Sequence, residues 1–166
     1  MSHNHTRVAV QFDALWSELT VAPNTDVVRI QAADLRESQQ QRARLRAEAV
    51  ERGESADSTA VFLDLEIYIA ADARTARREF AALDAPADPS SIRYVGTPSG
   101  LASLISDVTA ADVADGVTLT VLGDVARQSV LVDNGVLPLL EARGTRLDID
   151  VVDAVLGAPI APTLAS

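Results

Sequence analysis

Residues Thr59–Ala70 read TAVFLDLEIYIA. β-branched and aromatic residues crowd this stretch, which predicts a strand. Its side chains alternate: Val61, Leu63, Leu65, Ile67 and Ile69 share one face, and Phe62, Asp64, Glu66 and Tyr68 share the other. A parallel strand covered on both faces is apolar throughout. This one has an apolar face for helices and a polar face for something else.

The same two-residue period recurs on both sides of it. In Arg7–Phe12, Val8, Val10 and Phe12 oppose Arg7 and Gln11; in Asp26–Gln31, Val28 and Ile30 oppose Arg29 and Gln31. In Val117–Leu122, Val117, Leu119 and Val121 oppose Thr118 and Thr120. Helical stretches separate these strands. Leu35–Arg52 is rich in Arg, Gln, Glu and Ala and stops at Gly53. Asp72 caps a helix over Ala73–Leu83, and Thr97-Pro98 opens one that runs to Thr109. Gly123-Asp124 opens another, interrupted by Asn134-Gly135 and Pro138 and closed by Gly144. Asp13 reads as the cap of a short helix, Ala14–Thr20. Alternation of this kind predicts an α/β fold of parallel βαβ units, about four of them, half of a (β/α)8 barrel. The polar strand faces then form a concave surface. Residues 7–144 make the domain; residues 1–6 are expected to be disordered, and 145–166 form a tail with no predicted structure.

Composition narrows the function. The chain has 166 residues, 48% of them hydrophobic, enough for one domain with a proper core. With 24 acidic residues against 14 basic ones the net charge is −10, which repels nucleic-acid backbones. Every basic residue is Arg, the codon bias of a GC-rich genome. The absence of Cys excludes disulfides, thiolate nucleophiles and Cys-ligated metals. No apolar run has the length of a signal peptide or a membrane span, so the expected location is the cytoplasm, away from membranes. His3 and His5 are two histidines on a terminus, too few for a metal site. No Ser-His-Asp set, P-loop or dinucleotide fingerprint is present, and no catalytic residue is assigned.

Two stretches carry a family resemblance. Tyr94–Ile105, YVGTPSGLASLI, resembles the G-T-P-x-x-V-A-D-x-L helix start of luciferase-like flavin monooxygenases. Val136–Gly144, VLPLLEARG, is similar to their closing V-x-P-x-L-x-x-R-G. The upstream strands and helices fall in the family's order, so the resemblance covers most of Val8–Gly144 and corresponds to the C-terminal half of the barrel. It implies a (β/α)8 architecture, FMN or a related deazaflavin, and oxidation by O2 with reduced flavin from a partner reductase.

The family places a small residue, Ser and Gly where backbone N–H groups hold the flavin phosphate. Here the corresponding stretch, Gln11–Ser17, has no glycine and carries Phe12, Asp13, Leu15 and Trp16; only Ser17 suits an anion. FMN binding by the isolated chain is therefore expected to be weak or absent.

Candidate cofactor contacts at the carboxyl ends of the strands are Ser17, Thr97, Ser99, Gly123 and Asp124. Thr97 and Asp124 read equally as plain helix caps, and Trp16 as a ring platform or as core. On the polar face, Arg29, Asp64, Glu66 and Tyr68 are candidates. Asp64 and Glu66 suit acid/base or cation chemistry, or simply pair with Arg29.

Three functions are open: a relative with a degenerate flavin site that acts by association, an FMN-dependent monooxygenase completed by a second chain, and a small-ligand binding module. The expected partner is a second copy or a complementary half-barrel. If the barrel's strand order is kept, the free edges belong to Arg7–Phe12 and Val117–Leu122, and Val27, Phe62 and Tyr68 form an exposed apolar patch. The alternative is that the tail from Leu147 folds back over one edge.

Overall fold

The computed structural model describes residues 5–21 and 25–157. His3 and residues 158–166 of the tail lie outside the described residues. Among the described residues there are six strands: β1 (Arg7–Phe12), β2 (Leu15–Glu18), β3 (Asp26–Ile30), β4 (Thr59–Ile69), β5 (Ile92–Gly96) and β6 (Gly116–Val121). The helices are α1 (Leu35–Glu51), α2 (Ala73–Ala82), α3 (Pro98–Ala110), α4 (Val125–Leu131), α5 (Leu137–Ala142) and α6 (Ile149–Val155). A wide π turn, Val132–Val136, joins α4 to α5.

The fold is the α/β architecture of parallel βαβ units read from the sequence, and its sheet forms a half-barrel. Strands β1, β3, β4, β5 and β6 run parallel. Every face assignment for β4 holds: Val61, Leu63, Leu65, Ile67 and Ile69 enter the main core with Val8, Val10, Val117 and Leu119. α3 and α5 pack on this face through Leu101, Ile105, Leu137 and Leu140, and α1 adds Leu45.

The neighbour order differs from a sequential barrel. It runs β2-β1-β6-β4-β3, with β5 also on β4. β6 pairs with Phe62–Ile67 of β4, overlapping both the β3 partner residues (Thr59–Leu63) and the β5 partner residues (Leu65–Ile69). A strand has two edges, so β3 and β5 lie end to end on the edge opposite β6. The crossover from β4 to β5 thus turns back toward β3. A right-handed connection in that reversed direction puts its helix on the other face. Accordingly α2 packs through Ala76 and Phe80 on Tyr68 and Val95, the polar side of the sheet. The expectation that all helices share one face fails at α2 for this topological reason.

Three further expectations are corrected. The helix over Ala14–Thr20 is β2, an antiparallel hairpin partner of β1 (Phe12↔Leu15, Gln11↔Trp16). Asp13 takes a positive φ of 51° in the two-residue turn, a conformation that Asp tolerates better than most residues. Neither Arg7–Phe12 nor the last core strand is an edge: β1 lies between β2 and β6, and β6 between β1 and β4. The apolar patch is not exposed either. Phe62 is fully buried and Tyr68 nearly so, the first beneath Trp16 and Arg7, the second beneath α2.

Gly116 shows how closely this side is packed. A Cβ there would lie 2.8 Å from both the Arg7 carbonyl oxygen and the Phe62 ring. The interrupted last helix is the α4–π–α5 unit, where Gly135 passes against Pro98 at the start of α3 and leaves no room for a side chain. Gly144, at φ +98°, ends it. Beyond it, Val21 donates its N–H to the Arg146 carbonyl, Asp148 donates to the Leu19 carbonyl, and Thr20 bridges Leu147. α6 follows and adds Val152 and Leu156 to the core.

Candidate functional site

Two places on a parallel sheet carry chemistry: the carboxyl ends of the strands and, in a half-barrel, the concave face. At the carboxyl ends four helices begin, and each N-terminus is capped by its own side chain. Asp34 accepts from Glu37 N–H, Asp72 from Thr75, Thr97 from Gly100 and Asp124 from Arg127. Three of the four caps are carboxylates. The Thr75 backbone N–H, then its hydroxyl, hold the Asp72 carboxyl below its ordinary pKa, so this cap stays ionised. A phosphate docking at these N-termini would displace a bonded cap and, at three of them, meet a negative charge.

The candidate cofactor contacts fall as follows. Thr97 Oγ1 caps α3 and lies 3.2 Å from Ser99 Oγ. Gly123, at φ +78°, packs against Tyr68 and Leu83, and Asp124 caps α4. Ser17 is opposite Val10 on β2, hence on the helix-covered side of the sheet, away from the polar face. The fold thus brings Thr97, Ser99, Gly123 and Asp124 to the carboxyl edge and leaves Ser17 elsewhere. Gln128 of α4, fully buried, closes the end of β4. Its Oε1 accepts from Ile69 N–H at 2.8 Å and its Nε2 donates to the Ile69 carbonyl at 2.9 Å, a side-chain imitation of a paired strand.

The polar face is filled by a series of ion pairs. Arg7 forks onto Glu18, with Nη2–Oε1 at 2.7 Å, and stacks 5.0 Å over the Phe62 ring. Arg29 forks onto Asp64, both contacts 3.1 Å, and reaches Gln11 Oε1 at 2.7 Å. Arg93 holds Glu66 at 2.8 Å, donates to the Pro86 carbonyl and lies over Phe80. Tyr68 donates to Glu79 at 2.8 Å, and Glu79 also takes Arg127 at 3.1 Å. Glu79 is held below the usual carboxylate range by the Tyr68 hydroxyl first and Arg127 second. Burial, then Glu79, pushes the Tyr68 phenol up. Trp16 meets Phe62 edge to face at 5.7 Å and donates its indole N–H to Thr118.

Asp64 and Glu66 therefore each have an arginine of their own. Of the two carboxylates the shared face offers, Arg29 partners Asp64; Glu66 takes Arg93. The signal for Arg93 is its place on the alternating face of the strand Ile92–Gly96, shared with Glu66 of β4. Gln128 and the Glu79–Arg127 pair leave no such trace. Among the described residues no buried side-chain nitrogen or oxygen lacks a partner, and no three His, Cys, Asp or Glu side chains gather as a metal site.

No protein-family model matches the chain, and no curated protein matches it in sequence. Solved structures do match. The riboflavin lyase RcaE, solved with modified FMN and riboflavin, has a TM-score of 0.64 over 92% of this chain and 53% of its own, at 16% identity. The chain shares the fold of part of that structure. The EDTA monooxygenase EmoA from Chelativorans sp. BNC1 (TM-score 0.60, 16% identity, 81% of this chain, 44% of that one) has the same likeness. So does the long-chain alkane monooxygenase LadA (0.57, 15%, 71% and 37%). The chain spans about half or less of the length of these structures. No helix among the described residues is long and apolar enough to cross a membrane.

Proposed function

We propose that this chain is a luciferase-like protein whose flavin site is degenerate and which works by association with itself or another chain, in the cytoplasm. One observation carries the reading. The face that lines the interior of a full barrel is occupied by paired side chains of the chain itself, Arg7–Glu18, Arg29–Asp64–Gln11 and Arg93–Glu66. A ligand entering there has to break charge-assisted bonds before making its own. The Asp caps at the carboxyl edge add a charge of the wrong sign for FMN phosphate. The residues present do not fit the group. The test is the visible absorption spectrum of the purified protein, before and after FMN is added and excess removed. The expected spectrum has no flavin bands; retained bands near one flavin per chain would overturn the reading.

A second reading is an FMN-dependent monooxygenase completed by a second chain and supplied by a flavin reductase. The use of most of this chain to match about half of each enzyme favours it. On that reading, a mixture with a chain carrying the other half of such a barrel retains FMN where neither does alone. A small-ligand binding module on the concave face is less well supported, since that face is already filled.

A further inference from the structure

Acidic residues outnumber arginines 24 to 14 in this chain, yet the outer face of α2 carries arginine alone. The helix reads ARTARREFAA. Its inner face meets the sheet: Ala76 and Phe80 pack with Tyr68 and Val95, and Glu79, the helix's one carboxylate, is taken by Tyr68 and Arg127. Arg74, Arg77 and Arg78 are all exposed on the other side, at the three- and four-residue spacing that makes side chains neighbours on a helix surface. Among the described residues none of the three joins an ion pair. Arg78 feels Asp72 and Glu79 through space only. Like charges at this spacing oppose the helix, and an acid-rich surface offers many carboxylates that could have relieved them. The exposed Arg36 and Arg44 of α1, by contrast, are spread among Glu37, Glu48 and Glu51 of their own helix. α2 alone among the described helices gathers unpaired guanidinium groups.

We propose that the outer face of α2 docks a short acidic segment of a partner protein, with Arg74, Arg77 and Arg78 forking onto its Asp and Glu side chains. The proposal rests on the association reading and names a surface and the chemistry of the partner. Charge complementarity selects the kind of occupant, since the planar guanidinium fork matches a carboxylate. The extent of the patch selects its size. α2 has ten residues and is therefore about 15 Å long. Exposed carboxylates bound it, Asp72 before and Asp84 and Asp88 after. A nucleic-acid backbone or an anionic membrane runs past such a patch onto those carboxylates; a run of a few acidic residues does not. A second copy is disfavoured as well, because two chains at −10 each repel. Phe80 and the Tyr68–Glu79–Arg127 contacts pin the helix to the sheet. The three arginines thus stand on a fixed element, which lowers the ordering cost of docking.

The experiment is fluorescence anisotropy of a fluorescein-labelled oligoglutamate peptide, titrated with the intact chain at low and at physiological salt. Two variants accompany it: Arg74→Gln, Arg77→Gln and Arg78→Gln combined, and Arg36→Gln with Arg44→Gln on α1. All five side chains are exposed, and neutralising like charges on a helix surface does not threaten the fold; circular dichroism checks both variants. The expected results are saturable binding that weakens with salt and no change in the α1 variant. The α2 variant is expected to bind roughly tenfold more weakly, which is what three exposed ion pairs supply together. No saturable binding, or equal losses in the two variants, would overturn the proposal. So would tighter binding of a DNA duplex or of phosphatidylserine vesicles in the same titration, which would make the patch a general polyanion site. Light scattering of the chain alone separates this proposal from the reading it rests on. A 17.5 kDa particle that binds the peptide supports an acidic partner of another kind; a multimer that does not bind it overturns that partner and leaves association standing.

Discussion

The two faces of β4 solve the problem of burial in opposite ways. On one, Val61, Leu63, Leu65, Ile67 and Ile69 meet α3 and α5 in a dry core whose specificity is shape. On the other, Phe62, Asp64, Glu66 and Tyr68 meet charges and rings one partner at a time: Arg7 and Trp16, Arg29, Arg93, then Glu79. Close packing is strong but says nothing of function. The paired face bears on the proposed function, because its side chains already bond to one another. The difference teaches that this second face is closed largely by complementary charge; Tyr68 beneath α2 is an apolar exception, and Phe62, where both devices meet, is the other.

The largest expected effect lies at that exception. Phe62→Ala removes a fully buried ring beneath Trp16 and Arg7 and is expected to lower stability by roughly 3–5 kcal/mol, read as a drop in denaturation midpoint; an unchanged midpoint would show the Trp16–Phe62 contact does not form. Next comes the end of β4. Gln128→Leu keeps the bulk but strands the Ile69 N–H and carbonyl, and an expected loss of roughly 1–3 kcal/mol per unsatisfied group follows. Urea titration checks it.

A double-mutant cycle on Arg29 and Asp64, each changed to Ala, isolates the exposed ion pair. Its coupling is expected at about 0.2–1 kcal/mol, shrinking with added salt. Coupling of several kcal/mol would mean the polar face is far drier than its partly exposed arginine indicates.

The smallest effect concerns pH. The Glu79 carboxyl is lowered by Tyr68 and Arg127. Its contribution is therefore present above the unfolded-state carboxylate pKa and is lost as pH falls through the lower, folded value. Glu79→Gln is expected to flatten stability against pH in that acidic window and leave its shape near neutrality unchanged. An equal slope for both proteins would remove Glu79 from the account.

Much of the fold was legible because period-two alternation directly encodes which face a residue occupies. That is why β1, β3, β4 and β6, and the pairing of Arg29 with a carboxylate of β4, follow from sequence, while the choice of Asp64 over Glu66 does not. Strand order was not legible. Nothing in Ile92–Gly96 says that β5 returns to the same edge of β4 as β3, and the placement of α2 on the polar face depends on that turn alone. β2 was misread because Asp13 caps helices and also adopts the positive φ of a tight hairpin, and only the pairing with β1 decides between them. At the carboxyl edge, the helix starts were readable as caps, because Asp and Thr before a helical run have that local chemistry wherever they occur. Gln128 at Ile69 was not, since a contact across 59 residues leaves no local pattern.

The proposal that the flavin site is degenerate is tested most directly by titrating the protein into FMN and following flavin fluorescence. The account predicts emission that stays flat through and beyond equimolar protein. Saturable quenching with a break at one FMN per chain would contradict it.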